Sequence, residues 1–258
     1  MVAGNAAAQT QDTIHTDPKP LFQLRDAGML GAFTLATIAL APVDRRFTNE
    51  LREREHQSNT VMSRGATVFR LLGAPGTLYI SGGFYLLGLA SGHRRTEDLG
   101  LHTIEAIGIS MVEVEAIKMA AGRARPRVSP NNARNFQPFR GITSDDYKSF
   151  PSGHTTIAFA FASAVASETQ RWWPDSRWII GPLVYSSAAL TGVSRIYNND
   201  HWASDVMAGA ALGTFTGLKV IRYMHSHPGN VIDRKLLRAG VDIANDGRWM
   251  PVLSVSFR

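Results

Sequence analysis

Three short segments of this chain carry residue types whose spacing could do chemistry on an anion. In Lys118-Met-Ala-Ala-Gly-Arg-Ala-Arg125-Pro126 the first and last cations are seven residues apart. That is two helical turns, so Lys118 and Arg125 share one face if the helix runs to the proline. Arg123 and Arg127 read as ordinary charges near a helix C-terminus, serving the macrodipole and solvent. The second segment, Phe150-Pro151-Ser152-Gly153-His154, opens an apolar run. Serine, glycine and orphan backbone N–H groups at a helix N-terminus suit an anion such as phosphate, and equally suit a plain N-cap beside a surface histidine. The third runs from Ser194-Arg195 to His201 and Asp205. The last two are four apart on a helix starting near His201, so the carboxylate can reach an imidazole nitrogen, fix its tautomer and support its positive form. Such a histidine can act as nucleophile or base, although the same pair could be a routine surface ion pair.

Three cations around one spot repel each other unless a multiply charged anion fills it, and charge developing on phosphoryl oxygens is what such groups stabilise. At roughly one in twenty per fixed position, Ser-Arg-x5-His-x3-Asp alone arises by chance in about one in 600 chains of this length. With Lys-x6-Arg-Pro and Pro-Ser-Gly-His before it, the chain resembles the phosphatidic acid phosphatase type 2 and vanadium haloperoxidase superfamily, and its phosphatase branch in particular. The resemblance covers Lys118 to Asp205, about a third of the chain. It implies that Lys118, Arg125 and Arg195 hold phosphate oxygens, with Ser152 and the N–H of Gly153 completing the cradle. His201 then attacks phosphorus, Asp205 orients it, and His154 protonates the leaving oxygen before activating water against a phosphohistidine. No cofactor is implied. No metal is expected at the site either, because the cations do a metal's electrostatic work and the motifs contain no carboxylate cluster. The expected substrates are phosphomonoesters or diphosphates, either lipid phosphates or related compounds of the cell envelope. The expected place is the envelope, periplasmic or membrane-associated, with the site facing outside the cytoplasm. Two alternatives stay open: a vanadium-dependent haloperoxidase using the same cradle for vanadate, and a non-catalytic protein that binds phosphate or lipid headgroups.

The elements that must position these groups read as helices. With 258 residues, 44% hydrophobic and 19% charged, the chain fits one folded domain and is too apolar to be disordered. It contains no cysteine, which excludes disulfides, thiolate metal sites and cysteine nucleophiles. The formal charge of +6 favours anionic partners, here a phosphorylated small molecule or lipid rather than nucleic acid. Six apolar stretches predict an all-α bundle: Leu21 to Val43, Val68 to Gly92, Leu101 to Arg123, His154 to Ser167, Trp178 to Ser194 and Ala203 to Met224. The predicted organisation is a polar tail over 1–20, the helical domain over 21–225 and an extension over 226–258. In the extension, Asn245-Asp246-Gly247 between two alternating runs suggests a small hairpin.

The segment from Pro126 to Phe150 is far longer than the usual connection of about 4 to 6 residues. Its part from Val128 to Phe150, carrying Arg134, Arg140 and Lys148, is expected to be a lid or selectivity element. Uncharged windows mostly shorter than the roughly 20 residues needed to span a bilayer favour a buried or peripheral bundle over six spans. Trp172, Trp173 and Trp178 are expected to pack on the bundle. His102, His225 and His227 are expected to be structural or solvent-facing, and Glu105 and Glu113 to pair with arginines if buried.

Overall fold

The computed structural model describes residues 20–227, 230–236, 239–243 and 249–253. The expected tail, apart from Pro20, and the Asn245-Asp246-Gly247 turn lie outside the described residues.

All six predicted helices are present, with shifted ends. The first is α1 (Leu24–Leu40), extended by a 3-10 turn over Ala41–Val43. Two polar helices then follow that apolar periodicity could not show, α2 (Asp44–Leu51) and α3 (Arg54–Ser58). The second predicted helix is two, α4 (Thr60–Leu71) and α5 (Thr77–Ser91). Pro75, which has no N–H to donate, and an extended Ala74 separate them. The third, α6 (Arg94–Ala121), starts earlier than its apolar run because its polar first turns are buried, including Glu97 and Asp98. It also stops earlier: Gly122 takes a left-handed φ of 57°, the usual way to end a helix, and a Cβ there would strike the Gln137 carbonyl. Three long helices complete the bundle, α7 (Gly153–Trp172), α8 (Arg177–Tyr197) and α9 (Ala203–Ser226). Beyond them lie α10 (Val231–Leu236) and two antiparallel strands, β1 (Ala239–Ile243) and β2 (Trp249–Leu253).

The core lies where α6, α7 and α9 meet, around Ala106, Ala164, Val220, Ile221 and Met224. Helix α7 is central, packed on α6, α8 and α9, while α1 lies on α9. The α7–α9 contact is close because Gly209, Gly213 and Gly217 recur every fourth residue on one face of α9. An added Cβ at Gly213 would collide with the Thr156 carbonyl of α7. Small residues at this period let two backbones approach and gain dispersion contacts. Helix α1 is fastened by Asp26, which takes Lys219 and Arg222 of α9 as partners.

The apolar faces expected inside the bundle are largely outside it. Leu24, Leu35 and Ile38 of α1, Leu86 and Leu87 of α5, and Ile179 and Leu183 of α8 are all exposed. Two segments, Leu24–Leu51 and Pro174–Tyr197, are long and apolar enough to cross a membrane. Trp178 is 74% exposed and Trp173 40%, so these two do not pack on the bundle as expected. Trp172 does, donating its indole N–H to Glu168 at 3.1 Å.

Because backbone contact at Gly213 admits no side chain, Gly213→Val is expected to destabilise the protein by at least ~1–3 kcal/mol through overpacking. Gly82→Ala, with open space around it, should leave stability unchanged or raise it by up to about 1 kcal/mol. Thermal unfolding of the two variants beside the parent checks this.

Candidate active site

The three sequence segments meet at one end of the bundle around a cavity of about 270 Å³. Lys118, Arg125, Gly153, His154, Arg195 and His201 all line it. Lys118 and Arg125 come together differently from the expectation. Since α6 ends at Ala121, Arg125 lies on an extended stretch whose residue 123 bridges Phe136, so no common helix face is involved. Alternate residues of an extended chain point to opposite sides. Arg125 faces the cavity, while Arg123 turns the other way into the protein.

Arg123 is the main correction to the sequence reading. It is 3% exposed, and its guanidinium bonds Asp205 Oδ1 at 2.5 Å, Asp44 Oδ2 at 2.7 Å, Ser204 Oγ at 2.8 Å and the Ala133 carbonyl. It is a buried crosslink rather than a solvent charge. Asp44 completes the set by accepting from the N–H and hydroxyl of Ser204. Neither Asp44 nor Ser204 stands out in sequence. The pointer to Arg123 was Gly122, which breaks the helix and puts an Arg-x-Arg pair onto alternating faces.

His201 is 2% exposed. Its Nδ1 lies 3.8 Å from Asp205 Oδ2, beyond hydrogen-bond range, and only 2.7 Å from the Ser149 carbonyl. A carbonyl can only accept, so Nδ1 carries the proton and Nε2 is the basic nitrogen presented to the cavity. Asp205 therefore does not reach the imidazole directly, as the i,i+4 spacing suggested. It accepts from the Ser149 hydroxyl at 2.5 Å and the Trp202 N–H at 2.9 Å, and holds the Ser149 backbone against His201. Ser149 is a positioning residue the spacing could not reveal, because it belongs to the long loop.

That loop, expected as a lid, is built into the site. Lys148 offers its carbonyl to Lys118 Nζ at 2.7 Å, Ser149 N–H bonds the Arg123 carbonyl, and Gln137 and Phe139 N–H groups bond back to Gly122 and Ala120. Asp145 and Lys148 line the cavity, whereas Arg134 lines a separate depression by Pro42 and Arg45, and Arg140 lies over the Tyr147 ring.

Ser152 and Gly153 start α7. Gly153 lines the cavity, and its N–H is one of the helix's orphan donors. The Ser152 hydroxyl is fully buried and accepts from Thr155 Oγ1 at 2.8 Å, behind the cavity wall rather than in it.

Arg195, 5% exposed, gives Nη2 to Asp200 Oδ2 at 2.5 Å, while its buried Nε and Nη1 have no partner among the described residues. Asp200 also sits 2.8 Å from Arg127 and 3.6 Å from Arg125, so one carboxylate ties three arginines at the rim. The cations dominate the imidazoles. Burial, reinforced by Lys118 and Arg125 and opposed by Asp205, pulls His201 down to about 3. Burial and the facing cations, Arg195 first, pull His154 down to about 3 as well. Both rings are neutral at neutral pH while no anion is bound.

The helical bundle thus gathers three cations, two imidazoles and a helix N-terminus around one cavity. The profile of the PAP2 superfamily matches residues 99–228, half of the chain, and the protein belongs to that superfamily. Among curated relatives it is 38% identical over 117 residues to a lipid A 1-phosphatase of Porphyromonas gingivalis, covering 44% of this chain and 21% of that one. It is 32% identical over 151 residues to a probable lipid phosphate phosphatase 4 of Arabidopsis thaliana, covering 49% and 48%. An undecaprenyl-diphosphatase of Sulfolobus acidocaldarius is 28% identical over 143 residues, covering 55% and 64%. The chain thus spans between a fifth and just under two thirds of these relatives' lengths. The fold is similar to the crystal structure of a transmembrane PAP2-type phosphatidylglycerolphosphate phosphatase from Bacillus subtilis, with a TM-score of 0.58, 19% identity, and coverage of 79% of this chain and 97% of that one.

The cation field predicts a titration. His201 should stay neutral down to about pH 3, and Lys118→Met should raise its pKa because a like charge is removed. Histidine NMR of the free protein reads both; an unmoved His201 resonance in the variant would contradict this electrostatic account.

Proposed function

We propose that the protein is a phosphatase that releases phosphate from lipid phosphomonoesters or diphosphates through a phosphohistidine. The observation that carries this is the convergence of Lys118, Arg125 and the unpartnered Arg195 donors on the cavity into which His201 presents Nε2. These cations and the α7 N–H groups take the phosphoryl oxygens. The His201 Nε2 lone pair forms the N–P bond while the ester P–O bond breaks, and His154 gives its proton to the leaving oxygen. Water, deprotonated by His154, then attacks phosphorus in-line and frees His201, so each step moves one proton and one P–X bond.

Substrate arms the acid. The empty site's cations keep His154 unprotonated, and a phosphate dianion entering among them cancels that field and favours imidazolium. Asp205 acts through Ser149, whose carbonyl holds the Nδ1–H of His201 and so leaves Nε2 as the nitrogen that bonds phosphorus.

The lipid reading rests on what adjoins the cavity. An apolar groove of about 370 Å³ lies between α5, α7 and α8, lined by Leu72, Ile80, Phe84, Phe161, Leu183 and Val184. Gly73 lines this groove and its neighbour Ala74 lines the phosphate cavity, so a phosphate headgroup in one can have its chain in the other. The exposed apolar faces of α1 and α8 suit acyl chains, and Trp178 suits an interfacial position. These faces support membrane association, and the proposed place of work is the cell envelope, with the site facing away from the cytoplasm as the family resemblance implies.

His201→Ala is expected to abolish phosphate release while substrate still binds, and His154→Ala to lower kcat by about 10² to 10⁴-fold. Rapid quench with labelled substrate should find an acid-labile, base-stable phosphoryl group on the parent and none on His201→Ala. Halide oxidation with added vanadate would instead identify a haloperoxidase, and turnover absent from the intact parent would leave a binding protein.

Ser187→Phe, which narrows the groove, should raise KM for long-chain lipid phosphates far more than for short-chain ones. Equal effects on both chain lengths would place the tail elsewhere.

A further inference from the structure

We propose that His102, Glu105 and Asp233 bind a divalent metal cation of the zinc class, at the end of the bundle away from the phosphate cavity. His102 and Lys118 are sixteen residues apart on α6, so the two sites are separated by about 24 Å at 1.5 Å per residue.

His102 is 2% exposed and Asp233, on α10, 5%. Glu168, 0% exposed, accepts from His102 Nδ1 at 2.6 Å, His225 Nε2 at 2.8 Å and Trp172 Nε1 at 3.1 Å. This carboxylate is fully engaged and accepts the Nδ1 proton of His102; in the neutral ring, the form that ligates a metal, the lone pair is on Nε2. Nε2 then faces Asp233 Oδ1 at 3.5 Å. That separation is beyond the usual hydrogen-bond range of about 2.7–3.2 Å.

His102 Nε2, Asp233 Oδ1 and both carboxylate oxygens of Glu105 are buried and have no hydrogen-bond partner among the described residues. A buried lone pair facing two carboxylates leaves every member of the set an acceptor. One added proton on Nε2 would serve one carboxylate and leave the other unpaired. A divalent cation satisfies the imidazole and both carboxylates together, with charge balance. One nitrogen and two carboxylates are a donor set for zinc, manganese or iron rather than calcium. Glu168 holding the remote nitrogen of the ligating histidine is the usual supporting contact around such a ligand. The ligand atoms of His102, Glu105 and Asp233 lie within 4.8 Å of one another. Metal–ligand bonds of about 2.0–2.2 Å at tetrahedral angles put ligand atoms about 3.3–3.6 Å apart, so an inward movement of α10 by about 1 Å completes the site. The cation would fasten α10 to α6, and the hydrogen bond from the Tyr85 hydroxyl of α5 to the Leu236 carbonyl already ties α10 to α5.

The test uses the full chain in detergent, stripped with a chelator, then dialysed against Zn2+ alone and analysed for metal. One Zn2+ per chain and a higher melting temperature are expected in the parent. The isosteric variants Glu105→Gln and Asp233→Asn should lose stoichiometric binding, and Glu168→Gln should weaken it by about 10 to 100-fold. Phosphate release and the far-UV spectrum of the apo variants report whether they have folded. In the parent, which needs no variant, Zn2+ should shift the His102 ring resonances and spare His201. Less than a tenth of a Zn2+ per parent chain, or equal binding in both isosteric variants, would overturn the proposal and leave a proton-linked ion network in its place.

Discussion

A single guanidinium buried between two carboxylates organises the catalytic end of this protein. Arg123 is almost fully enclosed and contacts both Asp44 and Asp205. Removing one partner of such a group leaves an uncompensated charge in low dielectric, at a cost of about 3–5 kcal/mol, so the arrangement persists only as a whole. Its members come from α2, the strand-like stretch after α6, and the first turn of α9. Asp205, once fixed, orders Ser149 and the Trp202 N–H, and these in turn set the ring of His201. The orientation of His201, the proposed nucleophile, is thus the last link of a chain that begins with an arginine outside the cavity.

The opposite condition holds on the cavity side. Lys118, Arg125 and Arg195 are gathered with less negative charge than they need, and Asp200 restrains them from the rim. Placing charges before the substrate arrives means that no reorganisation is required when phosphoryl charge develops. The cost is carried by the fold, through the backbone carbonyls of Lys148 and Asp145 that accept from Lys118 and Arg125. The long loop supplies those carbonyls, which explains why it is pinned rather than free.

The remainder of the bundle serves two solvents. Its centre is small-residue packing between α7 and α9, which brings the Pro-Ser-Gly turn beside the start of α9: the Ser152 N–H bonds the Asp205 carbonyl at 3.0 Å. Its outside is apolar along α1, α5 and α8, which is sensible where hydrocarbon replaces water. Counting uncharged windows measures length alone, and which face of a helix stays exposed is visible only once its packing is known.

The sequence alone determined the helices with strong apolar runs, and it singled out the residue types that line the cavity. Lys118, Arg125, Gly153, His154, Arg195 and His201 were identifiable because a site for a multiply charged anion restricts both type and spacing. Tertiary structure decided how those residues are held. Arg123 and Arg125 differ by two positions yet face opposite ways, a distinction that exists only once Gly122 ends the helix. Ser149, Asp44, Asp200, and Glu168 with His102 act through partners between 5 and 160 residues distant. No local periodicity encodes such pairings, because a buried charge is satisfied by whatever group the packing of distant segments brings within 3 Å of it.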